Sequence, residues 1–111
     1  MRRRHLTLFV AITGSISTYL YFHQRSIEVR ESQLGKILIA FRVVLEEYTY
    51  DRQKAPRTLQ DLLREGYLSD IPIDPITRSH STWRLVIRQG GVGVKSGSTR
   101  TGLNGMPYSE W

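Results

Sequence analysis

The sequence predicts an α+β protein in which a long N-terminal helix packs on a small antiparallel β-sheet head. Three observations support this prediction: no proline occurs before residue 56, apolar residues recur at helical spacing up to Tyr48, and alternating segments with glycine-rich turns follow only after residue 80. The chain has 111 residues and no cysteine. One modest domain without a disulfide framework is therefore expected.

The first helix begins with a basic leader, residues 1–5, followed by 17 uncharged residues from Leu6 to Phe22. As a helix these residues span about 26 Å, against about 30 Å of hydrocarbon in a bilayer. We interpret 6–22 as a retained transmembrane helix. A cleaved signal peptide and a buried helix of a soluble fold are the alternatives. Because basic residues favour the cytoplasmic side, the rest of the chain is expected across the membrane.

Residues 23–50 are predicted to continue the helix as an amphipathic stem. One apolar stripe has spacings of three, one, three, four and three residues: Leu34, Ile37, Leu38, Phe41, Leu45 and Tyr48. Such a stripe packs in a core, on neighbouring subunits, or on both. Its intramolecular cover must come from the head, residues 51–111.

The head is predicted to open with a short helix and a turn. Thr58 is the expected N-cap, with Asp61 three residues later, and Gly66 is the expected end of the helix. A turn or extended link follows because prolines flank an aspartate there, at Pro72, Asp74 and Pro75.

A small hairpin or meander is predicted next. In STWRLVIRQ the alternation places Trp83, Leu85 and Ile87 on one face, and two glycines then turn the chain into VGVKS. The tail is expected to turn at Asn104 and Gly105 and to fold its aromatic side chains, Tyr108 and Trp111, back onto the sheet.

The net charge of +6 does not indicate a nucleic-acid-binding protein. The three arginines at positions 2–4 supply half of it, and the remaining 13 lysines and arginines are scattered among 10 acids. A phosphate-tracking surface would instead have a basic run or stripe. We expect neither a nucleic-acid partner nor a small-molecule substrate.

No catalytic signature is evident, so we expect a non-enzymatic protein without a cofactor. His5, His23 and His80 are far apart and have no metal-ligand spacing. Glu46 and Glu47 are adjacent on a predicted helix, where they diverge by about 100° and cannot face one substrate as an acid–base pair.

Two segments, KAPRTLQDLLREGYLSDIPIDPIT and SGSTRTGLNGMPYSEW, resemble the type IV pilin-like family, and most closely the major pseudopilins of type II secretion. In that family a Pro-x-x-Leu helix leads through Gly-Tyr-Leu to a Pro-x-Asp-Pro turn. The family's C-terminal segment contains a Ser-Gly, an Asp-Gly and a terminal tryptophan. The resemblance implies a membrane-anchored stem helix with a small head that assembles by helix packing. The residues expected to carry assembly are Val10 and the stem stripe defined above.

The leader departs from the family pattern. His5–Leu6 corresponds to the family's cleavage point, but His5 replaces the glycine that processing requires there, which leaves both a cleaved and an uncleaved leader open. Val10 replaces the family's glutamate, whose charge pairs with a neighbouring subunit. The family also has a calcium site in its C-terminal loop. Here only Asn104 and Glu110 are candidates, and calcium usually requires more carboxylates, so a strong site is not expected.

These observations favour a structural subunit of a pseudopilus-like or type II secretion-like assembly. It is expected in a bacterial inner membrane as a single-pass protein, with a cytoplasmic N-terminus and a periplasmic head. Expected partners are other pseudopilin or secretion subunits and further copies of the chain. The alternative is a monomeric membrane-tethered binding or regulatory module that does not polymerise.

Overall fold

The structure, a computed structural model, describes the backbone of residues 2–111 and the side chains from Ser15 onward. The predicted α+β class is confirmed: one long helix precedes a small antiparallel sheet. The elements are α1 (Arg2–Arg52), α2 (Leu59–Arg64), β1 (Arg84–Arg88), β2 (Gly91–Lys95) and a 3₁₀ turn (Tyr108–Glu110).

The head packs on one face of α1. Four residues of the stem stripe are almost completely buried: Leu34, Phe41, Leu45 and Tyr48. Ile37 and Leu38 are half-buried beside them. Their partners come from three parts of the head, Leu59 and Leu62 of α2, Trp83 ahead of β1, and Val94 of β2. Burying each large apolar side chain contributes about 1.5–3 kcal/mol, so this stripe is the main stabilising element of the head.

In the residues that the structure describes, no helix includes a stretch long and apolar enough to cross a membrane. The expected span, 6–22, lies mostly ahead of Ser15, and the side chains of that part are outside the described residues. Helix α1 continues without interruption through the expected boundary between span and stem.

Helix α2 begins directly after Thr58, the predicted N-cap. The Asp61 carboxylate accepts the backbone N–H groups of Arg57, at 2.8 Å, and Thr58, at 3.3 Å. These donors, the first above all, lower the pKa of Asp61. Gly66 follows the helix with φ +81°, a conformation that favours glycine and ends the helix as predicted.

Strands β1 and β2 form the predicted antiparallel hairpin, with Arg88 opposite Gly91 and Arg84 opposite Lys95. Gln89 and Gly90 form the two-residue turn. Ile87 lies on the same strand face as Leu85, as the alternation predicts, but 64% of its surface is exposed. Ile87 lies one residue from the turn, beyond the residues that pack on the core, whereas Leu85 is half-buried against it.

Candidate interaction surfaces

The turn at Pro72–Pro75 is built around a buried carboxylate. Asp74 is fully buried, and its Oδ1 accepts the backbone N–H of Ile76 at 2.8 Å, closing the turn locally. Its Oδ2 accepts the hydroxyl of Ser96 at 2.5 Å. The Pro72 carbonyl accepts the Trp83 indole N–H at 2.7 Å. These bonds join the link after α2 to both ends of the hairpin region.

Gly97 shows how closely the chain segments meet beside this turn. A Cβ atom at this position would lie 2.0 Å from the backbone oxygen of Thr82. The segment that presents Ser96 to Asp74 therefore approaches the chain ahead of β1 more closely than any larger residue permits. The carboxylate is fully used in holding these segments, so we assign Asp74 a structural role.

The tail is held on α1 by Glu31, a residue that the sequence interpretation did not select. Its Oε1 accepts the backbone N–H of Leu103 at 2.8 Å and the Tyr108 hydroxyl at 2.7 Å. Burial, followed by the hydrogen bond to this carboxylate, raises the pKa of Tyr108 to about 12. The tail thus packs on α1 as well as on β2, where Lys95 Nζ donates to the Trp111 carbonyl.

The two calcium candidates of the tail, Asn104 and Glu110, have different surroundings. Asn104 Oδ1 accepts the backbone N–H of Met106 at 3.0 Å and so closes the predicted Asn104–Gly105 turn. Glu110 is exposed in the 3₁₀ turn. Among the residues with described side chains, no group of three histidine or acidic side chains is arranged to hold a metal ion.

Helix α1 carries a second apolar stripe, which we call the outer stripe: Val29, Ile39, Val43 and Tyr50. At about 100° per residue these positions lie on the side of the helix opposite the buried stripe. Their exposed fractions are 44%, 61%, 58% and 80%. The described head leaves all four exposed. The sequence contains these four apolar residues, but their spacings of ten, four and seven residues are a weaker helical signal than the closely spaced stem stripe.

A trough runs along α1 between the helix and the outer edge of β2, and its lining includes Ile39 and Tyr50 of the outer stripe. One part, with a volume of about 350 Å³, lies between Gly35–Arg42 of α1 and Val92–Lys95 of β2, and Met106 and Trp111 close its end. A second part, about 590 Å³, continues from Arg42 toward Gln53. Both parts share Arg42 and Val92, so we treat them as one feature, the edge trough.

The remaining predicted site residues are separated. His5, Leu6 and Val10 lie in α1 but outside the residues with described side chains. Among the described residues, the histidines at 23 and 80 are both exposed, one on α1 and one ahead of β1, and neither lines the edge trough.

Comparison of the chain with protein-family models, with curated proteins and with solved structures finds no match.

Proposed function

We propose that this protein is a non-enzymatic structural subunit of a pseudopilus-like or type II secretion-like assembly, in which α1 packs against α1 of neighbouring copies. The observation that carries the proposal is the outer stripe. The head buries one face of the stem, and an opposite apolar face stays open over about 32 Å of helix, from Val29 to Tyr50. Exposed apolar surface arranged along one face is typical of a protein–protein contact.

The charges beside the outer stripe favour a second copy as its occupant. Lys36 lies next to the stripe in its first half, and Glu46 and Glu47 lie next to it in the second half, all three exposed. A parallel neighbour shifted by about ten residues, or about 15 Å, brings Lys36 of one copy beside Glu46 of the next. The same surface is therefore complementary to itself when the copies are staggered.

The proposal places residues 6–22 in a bacterial inner membrane, the leader in the cytoplasm and the head in the periplasm. This part rests on the basic leader, the uncharged run and the resemblance. Mass spectrometry of the protein purified from its own host's membranes tests the leader. Cleavage between His5 and Leu6 supports processing of the pseudopilin type, whereas an intact chain indicates a permanent anchor.

The assembly itself is tested by the mass of the detergent-solubilised full chain, measured by light scattering. We expect the wild type to self-associate and Val43→Asp to be monomeric, because a carboxylate on the outer stripe would be desolvated in the contact. Gln24→Asp, an exposed position on another side of α1, is the matched control and is expected to associate like the wild type. A monomeric wild type contradicts the assembly proposal.

A monomeric tethered binding module is the second candidate, and the edge trough is the observation that favours it. The trough is partly apolar and lies beside an unpaired strand edge, as a peptide-binding groove does. A monomeric wild type in the light-scattering experiment would shift the proposal to this candidate.

A further inference from the structure

The outer edge of β2 presents free backbone groups. The two-residue turn makes Arg88 and Gly91 the closing hydrogen-bonded pair of the hairpin. Because such pairs alternate along an antiparallel ladder, Gly93 and Lys95 bond to β1, whereas the N–H and C=O groups of Val92 and Val94 point away from it.

These outward groups have no partner within the described chain. No backbone hydrogen bond of the turns, loops or tail reaches Val92 or Val94. Val94 is also 93% buried, since only 7% of its surface is exposed. The outward backbone groups of an edge strand bond to water or to an added strand. The edge is therefore a place where an added strand gains hydrogen bonds.

The edge trough provides the space for that strand. It lies beside Val92 and Val94, and its other wall is the α1 surface formed by Leu38 and Ile39, with no side chain at Gly35. An extended segment there can pair its backbone with β2 and place alternate side chains on the apolar α1 wall. A helix would satisfy its own backbone and leave the β2 edge unpaired.

The charged residues that line the trough favour an occupant with acidic side chains. Arg42 lies at its centre and makes no hydrogen bond or ion pair with the described residues. Lys95 lies at one end, where it donates to the Trp111 carbonyl, and Glu46 is the single acid among the described residues lining the trough. An acidic side chain on the incoming strand would pair with Arg42.

A second copy of the chain does not supply such a strand from its described residues. In the described residues, its longest segments without helix, strand, bend or turn are 71–74, which contains Pro72 and the fully buried Asp74, and 96–100, which contains an arginine and no acid. Proline cannot donate to a ladder, and a segment without an acid cannot form an ion pair with Arg42.

We infer that the edge trough binds an extended, acidic segment of a different protein, which adds to β2 as a third strand. The trough shares Ile39 and Tyr50 with the outer stripe, but Val92 and Val94 of β2 belong to the trough alone, so strand addition and self-association have separate readouts. Either can fail without the other.

The experiment uses the ¹⁵N-labelled full chain in phosphatidylcholine nanodiscs and two capped probe peptides. One is acetyl-Val-Glu-Val-Glu-Val-amide, and the other has lysine in place of both glutamates. We expect the acidic peptide to shift the backbone amide signals of Val92 and Val94 and to slow their hydrogen exchange. The basic peptide is expected to bind about tenfold more weakly, because it places like charges beside Arg42.

Two variants examine the two parts of the inference separately. Arg42→Glu is expected to reverse the preference between the peptides, and Val92→Pro, which removes an outward N–H, is expected to weaken both by about tenfold. Lys36→Glu is the matched control, because it reverses a charge on the same helix outside the trough, and it should leave peptide binding unchanged.

Three results would overturn the inference. The first is the absence of shifts at Val92 and Val94 at millimolar peptide, and the second is equal binding of the acidic and basic peptides. The third is observed without peptide: hydrogen exchange of these two amides becomes slower as the protein concentration rises. In that case a second copy of the chain occupies the edge. If only light scattering shows association, self-assembly stands and the strand-addition inference fails.

Discussion

The two apolar faces of α1 carry similar side chains in opposite surroundings. On one face Phe41 and Leu45 are 2% and 1% exposed, and on the other Ile39 and Val43 are 61% and 58% exposed. Helical spacing assigns an apolar residue to a face, but burial depends on whether another segment covers that face. The head of this chain covers one of the two, and the comparison predicts that substitutions on the two faces have very different effects.

The largest expected effect is that of Phe41→Ala. The Phe41 ring packs edge-on against Trp83 with a centroid separation of 5.1 Å, in the centre of the core. Removing it leaves a cavity and is expected to lower the free energy of unfolding by about 3–5 kcal/mol. Denaturant unfolding of the full chain measures this change. Val43→Ala on the outer stripe is the matched control, with an expected change within about 0.5 kcal/mol. Equal effects at the two positions would remove the distinction between the faces.

Asp74→Ala tests the hydrogen bonds that hold together the segments of the head packed on the buried face of α1. The substitution leaves the Ile76 N–H and the Ser96 hydroxyl without their acceptor, and each unpaired buried donor costs about 1–3 kcal/mol. We expect a loss of about 3 kcal/mol in the same unfolding measurement. Asp70→Ala, at an exposed position four residues earlier, should be nearly neutral. A loss below 1 kcal/mol for Asp74→Ala would contradict the assigned role.

Glu31→Ala is expected to release the tail from α1 at a smaller cost, about 2 kcal/mol, because one carboxylate oxygen accepts two hydrogen bonds. The specific measurement is hydrogen exchange at the Leu103 amide, which should become faster while the hairpin amides change little. Glu47→Ala removes the same charge from an exposed position of α1 and should not alter exchange at Leu103. Unchanged exchange in Glu31→Ala would refute the contact.

The raised pKa of Tyr108 predicts that the free energy of unfolding decreases at alkaline pH. Its pKa rises from 10.0 to about 12 in the folded chain. Between these values the unfolded chain releases the hydroxyl proton and the folded chain keeps it, so the unfolded state binds fewer protons and stability falls as pH rises. The contribution is complete below pH 10 and is lost through about pH 12.

Tyr108→Phe isolates this contribution. The variant should lose about 1 kcal/mol at neutral pH, from the bond to Glu31, and should show a smaller further decrease between pH 9 and pH 11 than the wild type. Stability measured by denaturant unfolding at both pH values gives the comparison. Parallel decreases in the two proteins would show that Tyr108 is not responsible.

Much of the fold follows from local signals in the sequence. The long helix, the Thr58 cap, the Gly66 stop, the hairpin and the Asn104–Gly105 turn depend on residues close together in the chain, where periodicity and turn chemistry are informative. The head buries four residues of the stem stripe, which is one of the arrangements that the sequence left open. Its role in contacts between subunits remains a prediction.

Contacts between distant residues could not be predicted in the same way. Glu31 and Tyr108 are 77 positions apart, and Asp74 and Ser96 are 22 apart, so no local pattern links either pair. The exposure of Ile87 could not be predicted for the same reason. Alternation tells which face of a strand a residue lies on, but not how far along the strand other segments cover that face. The edge trough depends on three segments meeting and has no sequence signature of its own.

Helix α1 packs on the head with one face, and we propose that it packs on a neighbouring copy with the other. Because the chain has no cysteine, disulfide cross-linking between introduced cysteines tests it directly. Cells expressing both Lys36→Cys and Glu46→Cys chains should give a covalent dimer. An Arg57→Cys and Arg84→Cys pair in the head should not. A dimer from the stem pair alone is the predicted result, and no dimer from the stem pair, or equal dimer from both pairs, would contradict the claim.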